Sequence, residues 1–316
     1  MEKLKLSVII CTYNRANLLP EALDSVLSQK TDFDFEIIVG DDASTDGTRN
    51  LLNEYQRKHP DKIVLSLMET NSGIGANWAT ALMKAQGKYV AFLDDDDYWT
   101  DEKRMQIMVD FLENHPESDA LYTNAVWLDE KRGKESLVSY PSPEEFNIHK
   151  VLNGIQPNIS LNTLVVKRET INDCINLKDY IKYQFLVQDW NTHILLFKKA
   201  RFAYMDMPSS VLRETDGSLS RPKTYEQVKA KWQKEKIMLK YLSEQFPDDP
   251  KFLIDETDDR YMYHILTTVA FQRGDYRKAK LYAKLSEDNS LRTKSTKTWI
   301  TFHLYRLARF FRKTCK

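Results

Sequence analysis

The sequence is poor in cysteine and has no long apolar run, and each shortage excludes a class of protein. Its 316 residues include three scattered cysteines, Cys11, Cys174 and Cys315. They form neither a disulfide framework nor a CxxC metal site, which favours a reducing compartment. No run approaches the ~18 apolar residues of a membrane-spanning helix, and the opening MEKLKLSVIICTYN turns polar too early for a signal peptide. We therefore expect a cytoplasmic protein.

A net charge is also missing, although the charges are unevenly distributed. Lys plus Arg and Asp plus Glu both number 46, so net charge identifies no partner. Residues 1–216 carry 24 basic and 34 acidic side chains, whereas residues 217–316 carry 22 basic and 12 acidic ones. This asymmetry suggests that the two parts of the chain meet different partners.

The first hundred residues show a regular alternation of strand and helix patterns. Short apolar runs at LKLSVIICTY, FEIIVG, KIVLSLME and KYVAFL are separated by amphipathic helical patterns. Repeated β-α units predict an α/β fold with a mostly parallel, Rossmann-like sheet flanked by helices. Ligands bind beyond the carboxyl ends of the strands in such sheets. The polar clusters TYNR, DDASTDGT and DDDD follow three of the strands, so we expect them to converge there.

The strongest chemical signal is the aspartate run, Asp94–Asp97. Adjacent carboxylates repel one another by about 1 kcal/mol per pair at ~4 Å in water, so a cation is expected nearby. Mg²⁺ or Mn²⁺ would be held by one or two carboxylates together with substrate phosphates. Neither G-x-G-x-x-G nor G-x-x-x-x-G-K-[ST] is present, so no such glycine loop cradles the phosphates. A solvated acidic turn is the alternative interpretation.

Four motifs in the first hundred residues carry a family resemblance. SVIICTYNR, EIIVGDDASTDGT, NSGIGAN and GKYVAFLDDDD occur in this order. The chain thereby resembles the family 2 glycosyltransferases, inverting nucleotide-sugar enzymes of the GT-A fold, from about Leu6 to Arg221. The resemblance implies a GT-A catalytic domain over residues 1–221, followed by a C-terminal all-helical domain over residues 222–316. It also implies transfer of a hexose from a nucleotide-diphosphate sugar, expected to be a UDP-sugar, to a hydroxyl acceptor.

The resemblance assigns the donor site residue by residue. The positions that it places around the donor are Thr12, Tyr13, Arg15, Asp42, Asn71, Gly73, Asp94, Asp95 and Arg213. Asp42 would accept a hydrogen bond from the uracil imide, and Asp94 or Asp95 would reach the ribose. Asp96 would bind the Mg²⁺ or Mn²⁺ that bridges the diphosphate. Asn71 and the segment Gly73–Gly75 would shape the pocket beside the base.

The resemblance also implies a catalytic base at the start of a helix. VQDWNTHILL puts Asp189 at that position, where a carboxylate would take the proton of the acceptor hydroxyl, with Gln188 where Glu is usual. A charge at a helix N-terminus is the alternative role of Asp189. VLRETDGSLS resembles a loop that holds the diphosphate, with Arg213 and Ser218 matching and Thr215 where histidine is common.

The end of the chain has the pattern of a basic, aromatic helix. From Leu291 to Lys316 it carries eight basic and five aromatic side chains and no acid. Such a helix suits an anionic membrane surface, which would place the protein peripherally on the inner face of the membrane. A helix packed on its own domain is the alternative. No nucleic-acid-binding module accompanies the charge, so nucleic acid is not an expected partner.

The resemblance, together with the aspartate run, implies an inverting, metal-dependent glycosyltransferase. Its acceptor would be a saccharide or a lipid-linked saccharide, as in bacterial cell-surface polysaccharide or glycolipid synthesis. Gln188 and Thr215 keep open a second hypothesis, a non-catalytic carbohydrate- or partner-binding protein that retains the fold. A nucleotidyltransferase is disfavoured because the expected glycine-rich, basic N-terminal loop is missing.

Overall fold

A computed structural model of the chain describes residues 4–146, 158–186, 189–197, 199–215, 223–247 and 259–286. The chain divides into two compact units, Met1–Asp216 and Gly217–Lys316. The domain boundary predicted after Arg221 stays a prediction. The basic segment predicted to be a helix from Leu291 onwards lies outside the described residues. Within the described ranges, no helix is both long enough and apolar enough to cross a membrane.

One mixed sheet forms the first unit. Its strands in the described ranges are β1 (Leu6–Thr12), β2 (Phe35–Asp41), β3 (Ile63–Leu67), β4 (Tyr89–Asp94), β5 (Tyr98–Trp99), β6 (Ala120–Asp129), β7 (Lys134–Val138), β8 (Leu164–Lys167) and β9 (Phe202–Arg213). They lie in the order β3-β2-β1-β4-β8-β6-β9-β5, with β7 paired to β6. The four strands predicted from the first hundred residues pair in parallel. Beyond β4 the sheet is mixed, because β8 runs antiparallel between β4 and β6.

Helices cover both faces of this sheet, as predicted. The helices of the first unit are α1 (Leu19–Leu27), α2 (Thr48–Lys58), α3 (Ile74–Leu82), α4 (Arg104–Asn114), α5 (Arg168–Cys174), α6 (Leu177–Tyr183) and α7 (Asp189–Phe197). On one face, α1 and α4 pack with the inward side chains of β1 in a single apolar cluster. On the other, Trp78 of α3 stacks on Phe92 of β4 and packs against Tyr180 of α6. Side chains of a strand alternate between faces, so a buried strand is apolar throughout.

Helix α4 begins later than the sequence pattern suggested. Thr100 followed by DEKRMQIMVDFLENHP has the pattern of an N-cap and a helix with acids in its first turn, but α4 starts at Arg104 and Lys103 is its N-cap. The expectation was wrong because Tyr98 and Trp99 form β5 against β9, and the Thr100 N–H donates to the Ser209 carbonyl. The aspartate run is therefore followed by a short strand and not directly by a helix.

Strand β9 carries two irregularities where it pairs with β6. The register passes from Thr123 opposite Met205 to Asn124 opposite Pro208, and then to Ala125 opposite Ser210. β9 therefore has extra residues at both steps, as in a β-bulge, and such bulges re-aim side chains. Ser209 is the extra residue at the second step, and its side chain is fully buried.

The second unit is helical in its described part. Helices α8 (Tyr225–Gln245), α9 (Arg260–Gln272) and α10 (Tyr276–Ser286) follow one another. The side chain of Thr224 accepts the Gln227 N–H and the Gln227 side chain accepts the Thr224 N–H, a capping box that starts α8. Helices α9 and α10 form a hairpin that turns at Gly274, whose φ is +73°. Side chains of α8 and α9 form an apolar core in this unit, made of Val228, Trp232, Met262, Leu266 and Val269.

Candidate functional site

The carboxyl ends of β1, β2 and β4 lie side by side at one edge of the sheet. Thr12 at the end of β1 pairs with Asp41 at the end of β2, and Cys11 pairs with Asp94 at the end of β4. The three polar clusters that follow these strands therefore converge around the end of β1. Ligands of open α/β sheets bind at such an edge, which makes it the candidate functional site.

Asp41 and Asp42, which we call the β2 acid pair, are buried and are met by donors of the protein itself. The Asp41 carboxylate accepts a hydrogen bond from Arg49 Nε at 2.6 Å. The Asp42 carboxylate accepts the backbone N–H groups of Ser72 at 2.7 Å and of Gly73 at 2.9 Å. Gly73 has φ of +87°, a backbone conformation that glycine adopts without strain. Asp42, the predicted uracil residue, thus also fixes the turn before α3.

Within the aspartate run, Asp97 turns towards the protein interior. Its N–H donates to the Asp94 carbonyl at 3.2 Å, which closes a tight turn between β4 and β5. Its side chain is 5% exposed and accepts hydrogen bonds from Asn162 Nδ2 at 2.5 Å and from the Arg213 N–H at 2.7 Å. Asp97 therefore ties the turn to β9 and to the residues before β8.

Asp95 and Asp96 lie among the residues predicted to bind the nucleotide. Asp96 Oδ2 accepts the Thr215 hydroxyl at 2.6 Å and lies 4.0 Å from Arg15 Nη2. Asp95 lies close enough to the Thr12 hydroxyl and the Arg15 guanidinium for both to lower its pKa. Within the described ranges, Thr12 Oγ1 is buried and makes no hydrogen bond of standard geometry. This corner therefore still has hydrogen-bonding capacity for a ligand.

Burial and mutual repulsion raise the pKa of three carboxyls in the aspartate run, Asp94, Asp95 and Asp97. Burial raises the pKa of Asp95 to about 7, with a further rise from the Asp96 charge and opposition from Thr12. Burial and then repulsion by Asp96 raise the pKa of Asp94 to about 6, against the hydrogen bond from Asn162. Burial also raises the pKa of Asp97.

Arg213 is held above Asp96 by two acids of the surrounding elements. Its Nε donates to the Asp96 carbonyl, and its Nη1 lies 2.6 Å from Glu21 Oε2 and 3.5 Å from Glu130 Oε1. The guanidinium also lies over the Tyr98 ring, 5.3 Å from its centroid. Within the described ranges, Nη2 is buried and has no hydrogen-bond partner. One donor of this predicted diphosphate residue is thus left for a ligand.

The other predicted positions are less closely joined to this centre. Tyr13 is 44% exposed beside the end of β1, and Asn71 is exposed before α3. Gly75 serves packing, since a Cβ there would lie 1.8 Å from the Phe185 carbonyl oxygen. Asp189 is the first residue of α7, as predicted, but its side chain is outside the described part, as are Gln188 and Ser218.

Three residues at the site were not predicted to have the contacts that they make. Asn162 contacts Asp94 and Asp97, and Arg104 is fully buried beneath them with its Nη2 on the Asn162 carbonyl at 2.9 Å. Thr215, noted only as a departure from histidine, donates to Asp96. No local pattern marks Asn162 or Arg104, because their roles depend on strands that are distant in sequence.

The carboxylates fit a divalent cation that arrives together with a diphosphate. Within the described ranges, no group of three or more His, Cys, Asp or Glu side chains is arranged to enclose a metal ion. Asp95 and Asp96 offer one or two hard oxygen ligands, and the remaining ligands of Mg²⁺ or Mn²⁺ would be phosphate oxygens and water. The raised pKa of Asp95 indicates that the protein's own cations do not balance this charge. The residues present therefore fit such an ion.

Comparison with known proteins agrees with this geometry. A family model described as glycosyl transferase family 2 matches residues 7–184. The protein Rv1520 of Mycobacterium tuberculosis is 36% identical over 131 residues, which are 42% of this chain and 38% of that protein. Poly(ribitol-phosphate) beta-N-acetylglucosaminyltransferase TarS of Staphylococcus aureus is 31% identical over 173 residues, 53% of this chain and 29% of TarS. The chain thus matches well under half the length of these relatives.

Solved structures show the same fold. A crystal structure of TarS 1–349 in complex with UDP-GlcNAc has a TM-score of 0.56 and 21% identity, covering 89% of this chain and 84% of that one. The mannosyltransferase PcManGT of Pyrobaculum calidifontis, in complex with GDP-Man and Mn²⁺, has a TM-score of 0.54 and 19% identity, covering 98% and 84%. The predicted GT-A fold is confirmed. Because the family model spans more than half of its residues, this chain belongs to glycosyl transferase family 2.

Proposed function

We propose that the protein transfers a hexose from a UDP-sugar to a hydroxyl of a saccharide or lipid-linked saccharide, with inversion at the anomeric carbon. The observation that carries the proposal is the aspartate run at the carboxyl end of β4, whose charge the protein leaves only partly compensated. TarS was crystallised with UDP-GlcNAc, and PcManGT with GDP-Man and Mn²⁺. These neighbours support a nucleotide-sugar donor, and the name of TarS, a poly(ribitol-phosphate) transferase, supports a polymer as acceptor.

The proposed donor site is assembled from three strand ends. Within the described ranges, Nη2 of Arg213 is a buried donor without a hydrogen-bond partner, and the Thr12 hydroxyl lies beside Asp95. Asp42 has two N–H groups on its carboxylate and retains lone pairs for a uracil imide. Arg15 stands 4.0 Å from Asp96 and would bring positive charge towards the phosphates. These groups would orient the donor across the end of β1.

In the proposed reaction the acceptor oxygen attacks the anomeric carbon as its proton passes to the Asp189 carboxylate. The bond between the anomeric carbon and the diphosphate oxygen breaks, and its electron pair leaves with UDP. A Mg²⁺ or Mn²⁺ held by Asp96 would stabilise the negative charge of this leaving group. Attack from the face opposite the diphosphate inverts the configuration.

A panel of nucleotide sugars, assayed for hydrolysis and transfer with Mn²⁺, Mg²⁺ or EDTA, tests the proposal. We expect a UDP-sugar to be turned over only with a divalent ion. Asp189→Asn should lower transfer by roughly 10²–10⁴-fold, the usual contribution of a general base, and leave UDP binding intact. Asp173→Asn, which changes an exposed carboxylate of α5, is the matched control and should keep normal turnover.

Two results would count against this assignment. Near-normal turnover of Asp189→Asn at saturating acceptor would place the base elsewhere. Donor binding without any hydrolysis or transfer would favour the non-catalytic carbohydrate-binding hypothesis.

A further inference from the structure

Asn162 lies in the short turn before β8, directly against the aspartate run. Its side chain is 1% exposed. Nδ2 donates to Asp97 Oδ2 at 2.5 Å and to Asp94 Oδ2 at 3.2 Å, and Oδ1 accepts the Asp94 N–H at 2.9 Å. One amide group therefore contacts both ends of the four-residue run.

The main chain of Asn162 is itself fixed by three donors. Its carbonyl accepts hydrogen bonds from Trp99 Nε1 at 3.1 Å, Arg104 Nη2 at 2.9 Å and Ser210 Oγ at 2.9 Å. These donors come from β5, α4 and β9. A carbonyl that receives hydrogen bonds from three different elements has little freedom to move, so the side chain that it carries is well placed to fix others.

Arg104 anchors this arrangement from below. It is fully buried, its Nε donates to Ser209 Oγ at 3.0 Å, and its guanidinium lies 4.1 Å from the Trp99 ring centroid. Ser209 is the extra residue of the β9 bulge, which aims its hydroxyl at Arg104. The bulge, Arg104 and Asn162 thus form one continuous buried support under the turn.

The contacts divide the aspartate run into two pairs. Asp94 and Asp97 are bound by Asn162, whereas Asp95 and Asp96 lie beside the nucleotide residues Thr12 and Arg15. We propose that Asn162 is a positioning residue for the donor: it holds Asp94 and Asp97 to the fold and thereby presents Asp95 and Asp96 to the metal–diphosphate. This inference rests on the proposed function and assigns a role to a residue outside its donor-binding set.

The test separates metal-dependent from metal-independent UDP binding by calorimetry, with Mn²⁺ or with EDTA. In Asn162→Ala we expect the gain in UDP affinity on adding Mn²⁺ to fall by about tenfold or more, the usual cost of losing a residue that orients a metal ligand. UDP affinity in EDTA should stay within about twofold. A general loss of structure would lower both affinities together.

Asn124→Ala is the matched control. Asn124 is also buried and donates from Nδ2 to a carboxylate, Asp206 Oδ1 at 2.6 Å, while its Oδ1 accepts the Tyr140 N–H at 2.9 Å. Its removal should lower the melting temperature to a similar extent and leave the Mn²⁺-dependent gain unchanged. An equal loss of this gain in both variants would overturn the inference.

If Asn162→Ala does not fold, exchanging the side chains of residues 162 and 97 gives a second test. Asn162→Asp alone sets a third carboxylate against Asp94 and Asp97 and should weaken Mn²⁺-dependent binding. Adding Asp97→Asn restores the hydrogen bond between the two side chains with donor and acceptor exchanged, and should restore at least half of the lost affinity. If the double variant regains its melting temperature but not its Mn²⁺-dependent gain, Asn162 is structural only.

Different results would overturn the proposed function and the inference about Asn162. Wild-type protein that shows no Mn²⁺-dependent UDP binding would overturn the proposed function and the inference with it. Wild-type binding with an unchanged gain in folded Asn162→Ala would overturn the inference alone.

Discussion

The β2 acid pair and the aspartate run are neighbouring carboxylate clusters with opposite relations to the protein. Arg49 and the N–H groups of Ser72 and Gly73 meet Asp41 and Asp42 at 2.6–2.9 Å. In the aspartate run, burial and repulsion raise the pKa of Asp94, Asp95 and Asp97. In the sequence alone, both clusters have the pattern of an acidic turn. The difference indicates that the β2 acid pair helps to build the site, whereas the aspartate run keeps negative charge that a cation from outside can compensate through Asp95 and Asp96.

Opposite consequences for stability and binding follow from this contrast. Carboxylates that the protein already satisfies should be costly to remove, because their donors would be left buried. Buried carboxylates whose charge the protein does not balance should lower the free energy of unfolding until a cationic ligand binds. Substitution in the β2 acid pair should therefore lower the free energy of unfolding. Substitution of Asp95 or Asp96, the two members of the aspartate run that Asn162 does not bind, should lower metal-dependent binding, and loss of the Asp95 charge should stabilise the unliganded protein.

The largest effect is expected at Asp96. Asp96→Asn should reduce Mn²⁺-dependent UDP affinity by about 100-fold, the upper end of the 10–100-fold range for residues that only orient a ligand, because it removes the proposed ligand itself. Calorimetry in Mn²⁺ and in EDTA measures it. Asp61→Asn makes the same charge change at an exposed position and should bind normally. If Asp96→Asn binds UDP in Mn²⁺ as tightly as wild type does, the aspartate run does not serve metal binding, and the two clusters do not differ in this respect.

A large effect on stability is expected at Asp41. Asp41→Asn leaves Arg49 facing an amide in place of a carboxylate that is fully buried. Breaking a buried ion pair costs about 3–5 kcal/mol, and because Arg49 is about a third exposed we expect about 2 kcal/mol of the free energy of unfolding to be lost. Chemical denaturation measures it. A variant as stable as wild type would show that the β2 acid pair is not a building element.

Substitution of Asp95 is expected to raise the free energy of unfolding, opposite to the loss expected for Asp41→Asn. Its pKa is raised to about 7 from an unfolded value near 3.9. Below pH ~4 the carboxyl is protonated in both states. As pH rises to 7 the unfolded state releases its proton first, so the free energy of unfolding of the unliganded protein falls. Asp95→Asn removes this loss and should be more stable at pH 8.

Thermal melts of wild type and Asp95→Asn at pH 4.5 and pH 8 measure this difference. We expect the variant to gain on the order of 2 kcal/mol at pH 8, after discounting for the partial exposure of the side chain, and much less at pH 4.5. Glu113 and Asp119 have a pKa lowered to about 2, so they act below this pH window and are common to both proteins. A destabilised variant at pH 8 would show that Asp95 is already compensated.

The smallest effect is expected at Thr215. Thr215→Val keeps the shape of the side chain and removes the hydroxyl that donates to Asp96 at 2.6 Å. Mn²⁺-dependent UDP affinity should fall only about fivefold, because Asp96 itself remains and a single partly buried hydrogen bond contributes about 1 kcal/mol. Thr45→Val, at an exposed position of the same unit, is the control. A loss as large as that of Asp96→Asn would make Thr215 part of the ion's own site.

The sequence alone was sufficient for the parallel part of the sheet and for the meeting of the polar clusters. Buried parallel strands are continuous apolar runs, and the carboxyl ends of such strands must share an edge, so Thr12, Asp42 and Asp94 could be placed together without a structure. Helices α5 and α6 were missed because each has only seven residues, too few to show a helical apolar period. The cap at Thr100 was wrong because a tertiary pairing of β5 with β9 outweighed a local signal.

The chemical groups at the site follow from the sequence without a structure: four aspartates at the end of a buried strand, beside a hydroxyl and an arginine. The separate role of each aspartate depends on tertiary contacts. Asp97 turns inward because Asn162 and the Arg213 N–H, 65 and 116 residues away in the chain, meet it there. Local periodicity encodes which face of an element is buried, but hydrogen-bond partners at such separations are set by how distant strands pair.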